Sequence, residues 1–177
     1  MRPPATIESR PGRPDREDAY ARLLASVRPD PVAEASMRRF VDVAWSLLAP
    51  LGVSWIGFYL PAARAGNDEL VLGPRRDKPA CSPIGLHGAC GRSHLTRRGL
   101  VVTDVENLGA GYVACDPRDR SELVLPLLRA DGSSAGVLDL DSFEASAFDE
   151  SDARALRRAL VAAGLFDGKS ELPIDVV

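Results

Sequence analysis

The sequence has few of the features that mark membrane proteins, disulfide-bonded domains and zinc proteins. None of its apolar runs approaches the roughly 18 residues that a membrane-spanning helix requires. Its three cysteines are odd in number and too few for a disulfide framework, and in a cytosolic chain such cysteines are free, metal-binding or catalytic. With only two histidines and no C-x-x-C pair, the sequence has no zinc-binding spacing, so we predict that no metal is bound.

An excess of charge of one sign is also lacking. The 177 residues include 22 basic and 25 acidic ones, which gives a net charge of -3, and the basic residues are scattered. This balance predicts neither a nucleic-acid-binding nor a membrane-binding surface. Residues 1–14 are rich in proline and lack the apolar segment of a secretory signal, so we expect a disordered lead-in and a soluble, cytoplasmic protein.

The length predicts a single domain, which we place at 15–165, followed by a tail at 166–177 that shows no clear pattern. Apolar residues at helical spacing predict helices over 15–27 and 32–48. Asp149 has the position of an N-cap before a last helix, which again has one apolar face. We interpret all three helices as scaffold.

Between these helices the pattern changes to that of short strands. Runs of aromatic and branched apolar residues predict strands at 54–60, 69–72 and 100–105. Trp55 and Tyr59 are four positions apart, so they share one face of the first strand. Core packing is one interpretation of this pair, and an apolar slot for part of a ligand is the other.

The Asp131-Gly132 pair is the strongest turn signal in the chain, and it joins two strand-like runs at 121–130 and 133–142. A two-residue turn centred on this pair fixes which residues lie opposite each other. One side of the predicted hairpin is then apolar and suited to a core, with Leu123 opposite Leu140 and Leu125 opposite Leu138.

The other side of the same hairpin is acidic. In this register Glu122 lies opposite Asp141, and Val124 lies opposite Asp139. Like charges that face each other destabilise a sheet, so a sequence shaped for stability alone would avoid them. Geometry leaves a solvated outer face and a functional site equally open. Cys115 lies only seven residues before Glu122, which favours a site that combines a thiol with carboxylates.

Such a site suits a small substrate that carries a positive group. Clustered acids attract an ammonium, and their crowding raises the pKa of at least one of them, which can then act as a proton donor. Trp55 and Tyr59 could hold an apolar end. Two further cysteines fit a thiol, Cys115, that is oxidised in turnover and rescued as a disulfide. Acyl transfer fits less well, because neither His87 nor His94 has an evident orienting partner.

The chain contains, in order, the segments WIGFYL (55–60), LGPRRDKPAC (72–81), HGACG (87–91), DV (104–105), GYVACD (111–116), RSELVLP (120–126) and GVLDLDS (136–142). Their combination, which includes all three cysteines, resembles the free methionine-(R)-sulfoxide reductases, which are single GAF-domain enzymes. The resemblance implies an α+β GAF-like domain with a central antiparallel sheet and helices packed on it. The implied activity is reduction of free methionine-(R)-sulfoxide, an antioxidant oxidoreductase reaction.

The resemblance also implies roles for the three cysteines. Cys115 would attack the sulfoxide sulfur and become a sulfenic acid. Cys81 would be the principal resolving cysteine that forms a redox-active disulfide with it, and Cys90 would be an alternative or relay thiol. Members of the family are reduced by thioredoxin, need no bound cofactor and often form homodimers.

The remaining site residues are implied in the same way. Glu122, Asp139 and Asp141 match acidic residues that bind the substrate and assist protonation of its oxygen. Trp55 and Tyr59 match aromatic residues that line the pocket for the substrate's methyl group.

The chain departs from the family pattern in its loops. Tyr112 stands where the family usually has histidine, and Arg75, Arg76 and Asp77 replace Phe-Gln-Gly. The spacing between successive cysteines also differs by one residue in each interval. A non-catalytic GAF module that binds a small ligand or senses oxidants is the rival prediction, because one fold hosts many functions.

Overall fold

The computed structural model describes residues 14–62, 68–76, 78–109 and 115–177. Within these ranges the chain forms α1 (Pro14–Ser26), α2 (Ala33–Leu48), β1 (Trp55–Pro61), β2 (Glu69–Arg76), β3 (Ile84–Gly85), α3 (Ala89–Thr96), β4 (Gly99–Val102), β5 (Ser121–Leu128), β6 (Ser134–Ser142), α4 (Glu150–Ala162) and β7 (Ile174–Val176). The predicted lead-in, apart from its last residue, and Tyr112 lie outside the described residues.

The seven strands form one sheet in the order β3-β2-β1-β6-β5-β4-β7. All neighbours are antiparallel except β4 and β7, which are parallel. The prediction of an α+β fold with a central antiparallel sheet and helices packed on it is confirmed. Strand β7 lies in the segment that we treated as a tail, and its three residues are too few to show an alternating pattern.

The helices form because their apolar stripes are covered by the sheet and by each other. Phe40, Ala44 and Leu48 of α2 are fully buried in the main core. Helix α4 begins with a capping box in which Asp149 and Asp152 satisfy backbone N–H groups, as the N-cap prediction expected. No helix in the described part of the chain is both long and apolar enough to cross a bilayer.

Two predicted strands have different ends in the structure. Strand β2 continues to Arg76 along β1, beyond the predicted end at residue 72. Strand β4 ends at Val102 instead of 105, because Asp104 accepts a hydrogen bond from the backbone N–H of Glu106 (3.1 Å) and caps a 3₁₀ turn over Val105–Leu108.

The β5–β6 hairpin positions the candidate site. From Ser121 to Pro126 its register is the predicted one, with Glu122 opposite Asp141 and Val124 opposite Asp139. Nearer the turn an irregularity shifts the register by one residue, so that Leu128 pairs with Ser134. Gly132 has a φ of 76°, the left-handed conformation that a glycine adopts in a tight turn without strain. The apolar side of the hairpin lies in the main core between sheet and helices; its residues are Leu123, Leu125, Leu138 and Leu140.

Candidate active site

The acidic side of the hairpin is covered and is not a solvated outer face. Glu122 is only 4% exposed and Asp139 only 6%, while Asp141 is half-buried. Helix α3 packs across β5 and β6 on this side and brings Cys90 next to the carboxylates. Burial of several acids together is unfavourable for folding, so the arrangement indicates a site.

The two aspartates carry strongly perturbed carboxyl groups. Burial raises the pKa of Asp139 well above its usual value, and the charges of Asp141 and Glu122 raise it further. The pKa of Asp141 is also well above its usual value, first through burial and then through the charge of Glu122. A carboxyl group that holds its proton at neutral pH can donate it to a substrate oxygen.

A cavity of about 300 Å³ lies over this acidic patch. That volume is at the lower end of the range for small-molecule sites, which fits a ligand the size of an amino acid. The cavity is lined by every residue that the sequence analysis proposed for the site: Trp55, Tyr59, Cys81, Cys90, Cys115, Glu122, Asp139 and Asp141. Residues from six different segments are therefore brought together, and their individual roles stay predictions.

The aromatic wall of the cavity comes from alternate positions of β1. Trp55 and Tyr59 are almost fully buried, and their ring centroids are 5.9 Å apart. The indole lies across Gly57, where any Cβ atom would collide with it, so glycine is required for this packing. The indole Nε1–H donates to the backbone oxygen of Lys78 (3.1 Å), and the Tyr59 hydroxyl donates to that of Cys81 (2.9 Å). Both rings are thus held rigidly.

The three cysteines are free thiols with different surroundings. Cys81 and Cys115 are exposed and line the same cavity, and the Cys81 thiol lies close enough to raise the pKa of Cys115. Cys90 is buried in the first turn of α3, with its Sγ 4.0 Å from Oε1 of Glu122. The structure therefore brings Cys81 to Cys115, while Cys90 contacts the carboxylates.

The thiols of Cys115 and Cys90 are both protonated at neutral pH. The pKa of Cys115 is raised to about 12, chiefly by burial and then by its interaction with the Cys81 thiol. Burial, together with the charges of Asp139 and Glu122, raises the pKa of Cys90 well above its usual value. A nucleophilic role for Cys115 requires that substrate binding offset this effect.

Asp119 is a further cavity residue, and the sequence analysis missed it. It is 4% exposed and accepts a hydrogen bond from the Ser54 hydroxyl (3.0 Å). Its pKa is raised by burial, against the lowering effect of the Lys78 ammonium 3.6 Å away. In the sequence it stands in a mixed-charge loop, and no local signal distinguishes it from Asp116.

A family model that describes the GAF domain matches residues 33–165. The chain belongs to the GAF domain family. A GAF domain-containing protein A of Dictyostelium discoideum is 34% identical over 82% of this chain and 90% of that protein. The predicted fold class, including its GAF-like character, is thereby confirmed.

This GAF domain is also similar to reductases of free methionine-R-sulfoxide, as the sequence resemblance predicted. The reductase of Saccharomyces cerevisiae is 37% identical over 60% of this chain, and the match spans only 58% of the yeast protein. The X-ray structure of the free methionine-R-sulfoxide reductase from Neisseria meningitidis, in complex with its substrate, superposes with a TM-score of 0.73 at 30% identity. That superposition covers 91% of this chain and 95% of the Neisseria chain.

A metal-ligand set was not predicted, yet one group of side chains has suitable spacing. Among the described residues, Cys90, Glu122 and Asp139 place one potential ligand atom each within 4.8 Å of one another. Two of the three belong to the acidic patch already assigned to substrate, so the predicted absence of a metal stays a prediction. His87 lines the cavity, whereas His94 bonds to the Ser134 hydroxyl (2.8 Å) outside it.

Proposed function

We propose that this GAF domain reduces free methionine-(R)-sulfoxide to methionine, with Cys115 as the nucleophile. The observation that carries the proposal is the single cavity in which exposed thiols, buried carboxylates and two aromatic rings meet. The names of similar proteins in yeast and Neisseria support the same substrate.

Two parts of the substrate, its ammonium and its S-methyl group, have chemically matched partners in the cavity. The α-ammonium group would lie against the carboxylates of Glu122, Asp139 and Asp141, where its charge offsets their mutual repulsion. The S-methyl group would pack on Trp55 and Tyr59. Recognition of a free ammonium would select the free amino acid over a methionine sulfoxide within a chain, whose nitrogen is an uncharged amide.

The first chemical step is transfer of oxygen from the substrate sulfur to Cys115. The ammonium reduces the negative potential that helps to hold the proton on the thiol, so the thiolate becomes accessible. The thiolate attacks the sulfoxide sulfur while Glu122, with the aspartates, donates a proton to the oxygen. The attack forms an S–S bond between Cys115 and the substrate. The protonated oxygen then shifts from the substrate sulfur to the Cys115 sulfur as this S–S bond and the substrate S–O bond break, so methionine leaves and Cys115 holds the oxygen as a sulfenic acid, oxidised by two electrons.

The second step regenerates the enzyme through a disulfide. The sulfur of Cys81 attacks the sulfenic sulfur of Cys115, an S–S bond forms, and the oxygen leaves as water. A dithiol reductant, thioredoxin, then returns two electrons and two protons. Cys81 is favoured over Cys90 for this role because Cys81 is exposed and its thiol interacts with that of Cys115, whereas Cys90 is buried.

The assay is thioredoxin-coupled NADPH oxidation with the separated R and S isomers of free methionine sulfoxide. We expect turnover with the R isomer and essentially none after Cys115→Ser, because the serine hydroxyl is a far weaker nucleophile. As a control, Cys81→Ser should release one methionine per chain and then stop. Inactivity of the wild type on the R isomer, or full activity of Cys115→Ser, would contradict the proposal. Either result would favour the rival function, a non-catalytic GAF module that binds a small ligand or senses oxidants.

Three further features belong to the same proposal. Thioredoxin as reductant and a homodimer follow from the resemblance to the family, and a cytoplasmic location is the expectation from the sequence composition. The single catalytic domain at 15–165, with no bound cofactor, also stays a prediction. Analytical ultracentrifugation of the reduced protein tests the homodimer directly.

A further inference from the structure

The Lys78 side chain lies between the two segments that carry the exposed thiols. Its Nζ is 2.6 Å from Oδ2 of Asp116 and 3.6 Å from Oδ1 of Asp119. Lys78 precedes Cys81 by three residues, and Asp116 directly follows Cys115. The ammonium group therefore links the segment that carries Cys81 to the segment that carries Cys115.

The link is partly shielded from water. The side chains are 23% exposed for Lys78, 13% for Asp116 and 3% for Asp119. The ammonium also lies 4.4 Å from the centroid of the Phe143 ring, at a distance typical of a cation–π contact. Ion pairs that are partly buried are less screened by salt than exposed ones, so this contact can hold two loops together.

The main chain around Lys78 is fixed independently of its side chain. Its backbone oxygen accepts a hydrogen bond from Trp55, and the backbone oxygen of Cys81 accepts one from Tyr59. A substitution of the Lys78 side chain thus leaves the segment attached to β1. What it removes is the attachment to the loop of Cys115.

We propose that Lys78 is a positioning residue for disulfide formation, which keeps Cys81 within reach of Cys115 after the first step. The proposal rests on the proposed function. The step it serves converts the Cys115 sulfenic acid and the Cys81 thiol into a disulfide and water, with no external electrons. Loss of the link should slow this step, because small displacements of reacting atoms reduce rates strongly.

Arg118 offers a matched control on the same carboxylate. Its guanidinium donates to both oxygens of Asp116, from Nε at 3.1 Å and Nη2 at 2.8 Å, and lies 4.6 Å from the Phe143 centroid. Both partners of this ion pair belong to one loop. Replacement of Arg118 removes a neighbouring cation without removing the link between segments.

The first experiment measures Cys81–Cys115 disulfide formation with diamide, a two-electron oxidant that becomes a hydrazine. Reduced Cys90→Ser protein is compared with the same chain carrying Lys78→Gln, Asp116→Asn, Lys78→Arg or Arg118→Gln, by alkylation and mass spectrometry. We expect Lys78→Gln and Asp116→Asn to slow the reaction roughly tenfold. Lys78→Arg should retain most of the rate, and Arg118→Gln should stay within about twofold.

Equal rates for Lys78→Gln, Asp116→Asn and the parent would overturn the proposal. Equal slowing by Arg118→Gln would overturn it too, since loss of a nearby cation would then be sufficient. Far-ultraviolet circular dichroism establishes that each variant is folded.

The second experiment is a single turnover with free methionine-(R)-sulfoxide and dimedone as a sulfenic acid trap. Lys78→Gln should release methionine at the parent rate but accumulate the dimedone adduct of Cys115. Equal slowing of methionine release and disulfide formation would overturn the proposal, because Lys78 would then act on the substrate site. If the wild type releases no methionine, the proposed function fails, while the diamide result still decides the role of Lys78.

Discussion

The two sides of the β5–β6 hairpin are both covered, yet they have opposite chemistry. On one side, leucines pack into the core that includes the apolar stripes of α1, α2 and α4. On the other, Glu122 and Asp139 lie under α3 beside Trp55 and Tyr59. Adjacent residues such as Glu122 and Leu123 therefore share backbone geometry but differ in what surrounds them.

Along this one pair of strands, the residues that stabilise the fold lie on one side and the residues of the candidate site lie on the other. Burial of a leucine side chain stabilises the fold by about 2 to 3 kcal/mol. Burial of a carboxylate without full compensation costs free energy, which a protein tolerates where a ligand supplies the missing partner. Oδ1 of Asp139 is buried and has no hydrogen-bond partner among the described residues, so it remains able to accept a hydrogen bond.

The largest expected effect is on the acidic side. Glu122→Gln keeps the size of the side chain but removes its capacity as an acid, so kcat/KM for free methionine-(R)-sulfoxide should fall by about 10² to 10⁴. The temperature of thermal unfolding should change little. The coupled NADPH assay measures kcat/KM, and calorimetry measures the unfolding temperature. Unchanged kinetics in Glu122→Gln would show that the acidic side has no part in catalysis.

The adjacent position should respond in the opposite way. Leu123→Ala leaves a cavity in the main core, and we expect a loss of about 2 to 5 kcal/mol in the free energy of unfolding. Activity per folded molecule should remain within severalfold of the wild type. Urea denaturation gives the first quantity. A loss of activity without a loss of stability would contradict the division between the two sides.

The smallest expected effect is a pH-dependent gain in stability for Asp139→Asn. The pKa of Asp139 is raised in the folded state, so the native protein binds more protons than the unfolded chain above the usual value of 3.8. Wild-type stability should therefore fall relative to the variant as pH rises above that value. We expect the variant to be the more stable of the two proteins at neutral pH.

The comparison requires urea denaturation of both proteins at several pH values between 4 and 8. The stability difference should be smallest at the acidic end, where the pH approaches the usual value of 3.8 and the unfolded chain also begins to bind the proton. A difference that grows as the pH falls would contradict the raised pKa. Activity should be lower in Asp139→Asn throughout, since a ligand for the ammonium is lost.

The hairpin register could be predicted because its determinants are local. A turn at Asp131-Gly132 predicts the pairing, and the alternation of β-strands then assigns the side chains of Ser121–Pro126 to their faces. The grouping of Glu122 with both aspartates follows from these two rules. The one-residue register shift between Pro126 and Leu128 was not predicted. The pairing of β4 with β7 could not be predicted, because these segments are more than seventy residues apart in the sequence and no short turn connects one directly to the other.

The burial of the acidic side could not be predicted from local sequence patterns either. A polar face on a hairpin is solvated unless another element covers it, and the cover here is α3 with the loops before and after it. Asp119 and Lys78 were missed for the same reason. Their contacts connect positions that are about forty residues apart, and neither residue stands in a distinctive local pattern.

The amino-acid sequence by itself determined which side chains share a face, since strand alternation and turn chemistry depend only on near neighbours. It also carried the ordered motifs by which the family was recognised. Only the tertiary structure decided that the acidic face is enclosed, that Cys81 contacts Cys115, and that Lys78 joins their loops. These contacts join distant segments and depend on the packing of the whole chain. The same packing raises the pKa values of Asp139 and Asp141.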